Sequence, residues 1–541
     1  MIVRNPILPG FHPDPCAVRV GGDYYVATST FEWFPGVEIH HSTDLAHWTL
    51  LARPLDTQAL LDLADVPNSG GVWAPCLSYV DGVFYLVYSI TRTVEETVQD
   101  TENYLTCARD VRGPWSPRVR LHSGGFDASL FHDPDGSHWL VGMRWDSRAE
   151  RNHFAGIFLQ GYSVQNSAPV GEAKCIFAGS SLGLTEGPHL YHIDGSYLLM
   201  VAEGGTRADH AVLTCRSDTL LGPYRPDPGG HMLTARLRPD WPIQHAGHGS
   251  LVEDGHGRWY LFHLGARKGL CGGHSVLGRE TFLQAVRFDA GGYPRLTGGD
   301  VLPAETVAVP DAQTADAPLD ETPAQPAAFH CDFAEAALPL RFSWLRTPAR
   351  HSLTARPGYL RLHGAESLVS RHRQAMLGTQ LTHIPMTVRT RVAVRPSHFQ
   401  QAAGLALFYH TANFYALLVT WDAALGRCLR LVKRDSKHSE LLAPMRALPP
   451  HGEISLRADV SAEGIRFYSD TGQSWREIGD IARQPVTILS DEYANRCLEQ
   501  GYTGAFATLC CQDQTGAEMA ADFAFFTMCP PNHPLLGREP I

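Results

Sequence analysis

No apolar run in this 541-residue chain is long enough to cross a membrane, and its opening, MIVRNPILPGFHPDP, has no basic segment followed by an apolar one. A transmembrane helix is therefore not expected, nor a secretion signal, which points to a cytoplasmic protein. The 12 cysteines are scattered, without CxxC spacing or a dense framework. Neither a zinc ribbon nor a disulfide scaffold is expected, and the adjacent Cys510 and Cys511 read as buried thiols. There is no Gly-rich phosphate loop, no nucleophile elbow and no dinucleotide fingerprint. Positive charge is short too: the formal net charge is −11, and no Lys or Arg falls between Arg295 and Arg341. Nucleic acid and anionic membranes are poor partners for such a chain, and a neutral substrate suits it better.

What the chain does have is a repeat. An opening residue, a few apolar positions, a Gly-containing turn and an aromatic-led strand recur at Asp14, Ala74, Asp127, Glu186 and His248. The strand aromatics are Tyr24, Phe84, Trp139, Tyr197 and Trp259, at intervals of 60, 55, 58 and 62 residues. A unit of this size holds about four short strands, one blade of a β-propeller. Asp81-Gly82, Asp135-Gly136 and Asp194-Gly195 supply hairpin turns. Helix is scarce, the stretch Leu55 to Leu63 being the one short helix expected.

Residues 309–328 are rich in Ala, Pro, Thr and Asp and read as a linker. Alternating strands resume after it, as in MTVRTRVAV, FYALLVTW and EISLRADV. The expected organisation is all-β: a five-bladed propeller over 1–308, the linker, and a β-sandwich over 329–541.

Equivalent positions of a closed propeller face one axis, so Asp14, Asp127 and Glu186 would converge. The distance from opening residue to aromatic varies from 10 to 12 residues. A one-residue slip reverses a side chain, so counting alone leaves convergence open. Converging carboxyls suit glycoside hydrolysis, where one must carry a proton for the leaving oxygen and another must be ionised. Glu186, set between Leu184 and Gly187-Pro188, is expected to keep its proton, with the charge of Asp127 nearby adding to the effect. Each also has a plain reading as a turn or cap residue. His248 can bind a metal, tune a carboxylate, bind a sugar hydroxyl or serve structure alone. Arg279 can clamp hydroxyls, balance the acidic cluster or pair with Glu280. Phe31, Trp33, Phe34, Trp73 and Trp145 offer flat faces for sugar rings, although most aromatics are core. Phe31 and Trp73 are the strongest of these, because each flanks a repeat near its mouth.

The segments NPILPGFHPDP, TSTFEWFPGVEIHHSTDL, VWAPCLSY, GGFDASLF, LTEGPHLY, GHGSLVE, LGRET and YTGAFATLCCQD resemble, in this order, the family 43 glycoside hydrolases and among them the β-xylosidases. The resemblance implies a five-bladed propeller followed by a jelly-roll, concanavalin-like sandwich, and single-step hydrolysis with inversion. It implies Asp14 as general base, Glu186 as general acid, and Asp127 as the group that tunes and orients the acid. Phe31, Trp73, Trp145, His248 and Arg279 would contact substrate, and Phe506 would be lent by the second domain to the pocket rim. Exo action on β-1,4-xylo-oligosaccharides from the non-reducing end would release D-xylose, with side activity on α-L-arabinofuranosides. No cofactor would be required, calcium beside His248 through water being the one candidate, and the chain would self-associate as a dimer or tetramer. His12 and Cys16 depart from the family pattern without removing a catalytic group. Competing readings are an arabinan-directed enzyme of the same family, a retaining enzyme on a similar propeller, and a non-catalytic sugar-binding propeller.

Overall fold

A computed structural model of the protein describes residues 1–95, 97–309, 328–479, 483–496 and 499–537. Among them there is one α-helix, Asp491–Arg496, and the rest of the regular structure is almost all strand. No helix among them is long and apolar enough to cross a membrane.

Five antiparallel sheets form the blades of a propeller, and their first strands are Cys16–Val20, Gly71–Val80, Ser129–His132, Glu186–Ile193 and Gln244–Glu253. Each first strand meets the first strands of the neighbouring blades, and the fifth meets the first, so the ring closes around an axis. Tyr24, Phe84, Trp139, Tyr197 and Trp259 all lie in the second strand of their blades, as the repeat predicts. Asp81-Gly82 and Asp194-Gly195 join first to second strands with positive φ at both residues, the geometry that matches strand twist. Strand Ile2–Arg4 pairs with Thr306–Ala308 and ties the two ends of the propeller together.

The expected helix over Leu55 to Leu63 is a single turn instead, with the amides of Leu60 and Leu61 bonded to the Thr57 carbonyl. Its Leu55, Leu60, Leu61 and Leu63 are all buried. Leu55 is taken up in a bridge to Gly36, and this tertiary pairing overrides local helix propensity, which is only a weak prior. Of the expected linker, residues 310–327 lie outside the described residues.

The second domain packs an eight-stranded sheet on a nine-stranded one, and the edge of the larger sheet is a propeller segment. Trp33–Phe34 pairs with Ser343–Leu345, placing Trp344 opposite Phe34. Trp33 is 1 % exposed and stacks on Phe506 with ring centroids 3.7 Å apart. Such a stack adds about 0.5–1.5 kcal/mol beyond its buried area. Trp33 and Phe34 therefore join the domains rather than face a sugar. Beside them Arg53 bonds the buried Glu38 at 3.1 Å and donates to Ser343 Oγ across the interface. Burial would raise the Glu38 carboxyl, but Arg53 and His12 outweigh it and hold it down to about 2. His12 also reaches Gln380 of the sandwich at 3.2 Å. The sandwich is thereby fixed against the propeller mouth.

Candidate active site

The residues that open the repeats share a backbone state that few side chains adopt. Asp14, Ala74, Asp127 and His248 have φ of 54, 29, 54 and 46°. Left-handed non-glycine residues cost on the order of 1–3 kcal/mol and persist only where the surroundings over-determine them. In the fourth blade the positive φ falls on Gly187, next to Glu186. Pairing registers also slip at this level, between Trp73 and Cys76, Glu186 and His189, and Gly247 and Gly249. These bulges absorb the unequal spacing of the repeats and re-aim the side chains. Asp14, Asp127, Glu186 and His248 consequently line one pocket with about 200 Å³ of space, the scale of one sugar ring rather than a chain.

The carboxyls stand in unlike surroundings. Asp14 accepts from Ser29 Oγ at 2.6 Å and pairs with Arg279 Nη1 at 3.1 Å. Burial alone would raise its pKa, but the fixed charge of Arg279, helped by His248 and Ser29, holds it below the usual carboxylate value. Glu186 is pushed up to about 7 by burial first and then by the charge of Asp14. Asp127 accepts from the Gly187 amide at 3.0 Å. It lies well above the usual range, through burial, then Glu186, then Asp14. The like charge acting on Glu186 is thus that of Asp14. Asp127 and Glu186 are best described as a coupled pair that holds a proton near neutral pH.

His248 Nδ1 is 3.7 Å from Asp14 Oδ1, and burial brings its pKa down to about 4, leaving a neutral imidazole. One donor atom each from Asp127, Glu186 and His248 lies within 4.8 Å of the others. These three do not suit a directly bound hard cation, which seeks six to eight oxygens. One group offers nitrogen, and a metal on Glu186 would displace the proton that the site favours there.

Phe31, Trp73, Phe126 and Trp145 wall the pocket. Trp73 and Trp145 are held by bonds from their indole N–H groups to the carbonyls of Ser69 and Thr97. Arg279 pairs with Asp14 and not with Glu280, whose carboxylate is taken by Arg267. Its guanidinium also donates to Thr206 Oγ1 and to the Tyr502 carbonyl, and lies 5.1 Å from the centre of the Phe31 ring. Phe506 is not a rim residue. It sits one layer back, 2 % exposed, under Phe11 and Trp33. The sandwich residue that lines the pocket is Tyr502, four positions earlier. Its loop reaches the propeller because Gly278 and Gly504 touch, where a Cβ on Gly278 would lie 2.6 Å from the Thr503 carbonyl oxygen.

Gln99, Phe126, Thr206 and Tyr502 are pocket residues that sequence reasoning missed. Phe126 could have been found, since it precedes Asp127 as Trp73 precedes Ala74. Gln99 and Thr206 carry no such signal.

Gly187 leads to a prediction. A Cβ there would lie 2.9 Å from the His248 ring, and its φ of 57° adds about 1–2 kcal/mol for any L side chain. Gly187→Ala is expected to displace His248 and the neighbouring Glu186, lowering kcat/KM about tenfold or more with only a modest fall in Tm. Steady-state kinetics and thermal unfolding check this together.

The chain matches the model of "Glycosyl hydrolases family 43" over residues 3–294. It matches that of "Beta xylosidase C-terminal Concanavalin A-like domain" over residues 330–528. It is 41% identical to a β-xylosidase of Bacillus subtilis across 97% of this chain and 99% of that one. It is 38% identical to xylosidase/arabinosidase 43B of Humicola insolens across 98% of both. Among solved structures, the xylan β-1,4-xylosidase of Bacillus halodurans superposes with a TM-score of 0.92 at 42% identity, covering 97% of this chain and 100% of that one.

Proposed function

This chain belongs to glycosyl hydrolase family 43, and from that membership and the pocket chemistry we propose an exo-acting β-xylosidase that removes D-xylose from the non-reducing end of β-1,4-xylo-oligosaccharides with inversion. The observation that carries the reading is the split between an ionised Asp14 and a proton-bearing Glu186 in one small pocket. Asp14 is the general base and takes a proton from water as the water oxygen attacks the anomeric carbon. Glu186 is the general acid and gives its proton to the glycosidic oxygen as that bond breaks. Asp127 orients the acid, through the Gly187 amide, and shares its proton. Arg279 keeps Asp14 ionised, and the aromatic walls hold the sugar ring. Inversion asks for about 6.5–9.5 Å between base and acid, room for one water.

The experiment is hydrolysis of xylobiose followed by NMR. The first-formed anomer should be α-xylose, and β-xylose as the first product would refute inversion. The pH profile of kcat/KM adds a second check. The acid must be protonated, so activity should fall as pH rises through about 7. The base must be ionised, so the acidic limb should lie below the ordinary carboxylate value.

Arabinofuranoside hydrolysis as a side activity is favoured by the likeness to xylosidase/arabinosidase 43B. Turnover of aryl xyloside against aryl arabinofuranoside measures it. No step needs a cofactor: a calcium ion beside His248 would draw most of its ligands from water, and exhaustive chelation should leave kcat/KM unchanged. The cysteines among the described residues are unpaired, which supports a reducing, cytoplasmic setting, to be checked by cell fractionation. Self-association as a dimer or tetramer is the family expectation, and light scattering tests it.

A further inference from the structure

One tier below the carboxyls, the channel carries a second ring of side chains. Two residues beyond each opening residue stand Cys16, Cys76, Ser129 and Ser250, and the bulge in the fourth blade brings His189, three beyond Glu186, to the same level. The two hydroxyls are committed to linking blades: Ser129 Oγ donates to the Pro188 carbonyl, and Ser250 Oγ donates to the Pro15 carbonyl and accepts from the Ala17 amide. The remaining three groups face one another. The Sγ atoms of Cys16 and Cys76 and a ring nitrogen of His189 all lie within 4.8 Å of each other. They come from the first, second and fourth blades, and they lie too far apart in the sequence to form a metal-ligand motif.

We propose that Cys16, Cys76 and His189 form a binding site for a soft divalent ion of the zinc or cadmium class in the axial channel beneath the active site. Two sulfurs and an imidazole are the donor set that borderline and soft ions select over calcium or magnesium. Two thiolates around a tetrahedral ion stand roughly 3.8 Å apart, so the groups need to close by at most about 1 Å. The Cys16 thiol donates to the Leu77 carbonyl at 3.6 Å. On binding, each thiol gives its proton to solvent and its sulfur a lone pair to the ion. Two protons leave as one divalent ion arrives, so the buried channel keeps its net charge, which favours a divalent ion over a monovalent one. Cys16 and Cys76 are 4 and 5 % exposed and His189 is only partly buried, leaving that side open to the ion.

The test uses zinc and cadmium as probes on the full-length protein. After loading with Zn²⁺ and gel filtration, the wild type should retain one equivalent more than the Cys16→Ser/Cys76→Ser variant. Cadmium should produce near-ultraviolet thiolate charge transfer at twice the per-ion intensity seen for a single exposed thiol such as Cys175. His189→Gln should weaken Zn²⁺ binding at least about tenfold, and Zn²⁺ should raise Tm in the wild type only. If the double variant does not fold, Cys16→Ser alone serves, since serine keeps the bond to the Leu77 carbonyl that Cys16 makes. Equal zinc stoichiometry in wild type and cysteine variant, or affinity indifferent to His189, would overturn the site and leave the pair as packed thiols.

Discussion

Glu186→Gln should lower xylobiose hydrolysis on the order of 10²–10⁴-fold, the usual contribution of a positioned general acid, while sparing substrates whose leaving group needs no proton. An aryl xyloside with a strongly acidic phenol departs unaided, so the variant should lose far less on it. The alkaline limb near pH 7 should vanish as well, because the group that titrates there is gone. Asp14→Asn behaves differently. Water still has to be activated whatever leaves, so both substrates should suffer to a similar, large extent. Comparing kcat/KM for the two substrates in the two variants is the measurement. Equal losses across leaving groups for Glu186→Gln would sink the division of roles.

Arg279→Ala is the second large effect. Arg279 is 4 % exposed and supplies the ion pair that offsets the burial of Asp14. Removing it leaves a buried carboxylate uncompensated, at about 3–5 kcal/mol. The pKa of Asp14 then rises, because burial remains and its main opponent is gone. As the base must be ionised, the acidic limb of kcat/KM should move to higher pH and close on the limb of Glu186, with activity down by two to three orders of magnitude at the optimum. Arg279→Lys keeps the charge but not the fork that holds the Tyr502 carbonyl. It should leave the acidic limb nearly in place and raise KM. An acidic limb unmoved in Arg279→Ala would show that Asp14 does not depend on this pair.

The propeller was legible because each blade repeats its own turn chemistry and aromatic position, which are local properties. The sandwich was legible because its strands alternate apolar and polar residues, as half-buried strands must. Leu55 to Leu63 misled for the complementary reason: its four leucines look like a helix face when read without the bridge to Gly36 that holds Leu55. Tyr502 and Phe506 share one motif, and nothing in their order says which ring faces the pocket and which lies behind Trp33.

The sequence alone determined that acidic residues open three of five like repeats, and the unequal spacing left their convergence to the bulges of the folded blades. Nor could the sequence assign their charges. Asp14 owes its ionised state to Arg279, 265 residues away, and Glu186 owes its proton to burial and to Asp14. A pKa depends on distances and on the exclusion of water, and both exist only once the blades have closed and the sandwich loop has placed Tyr502 against the pocket. The same closure brings two thiols and an imidazole from three blades within reach of one ion.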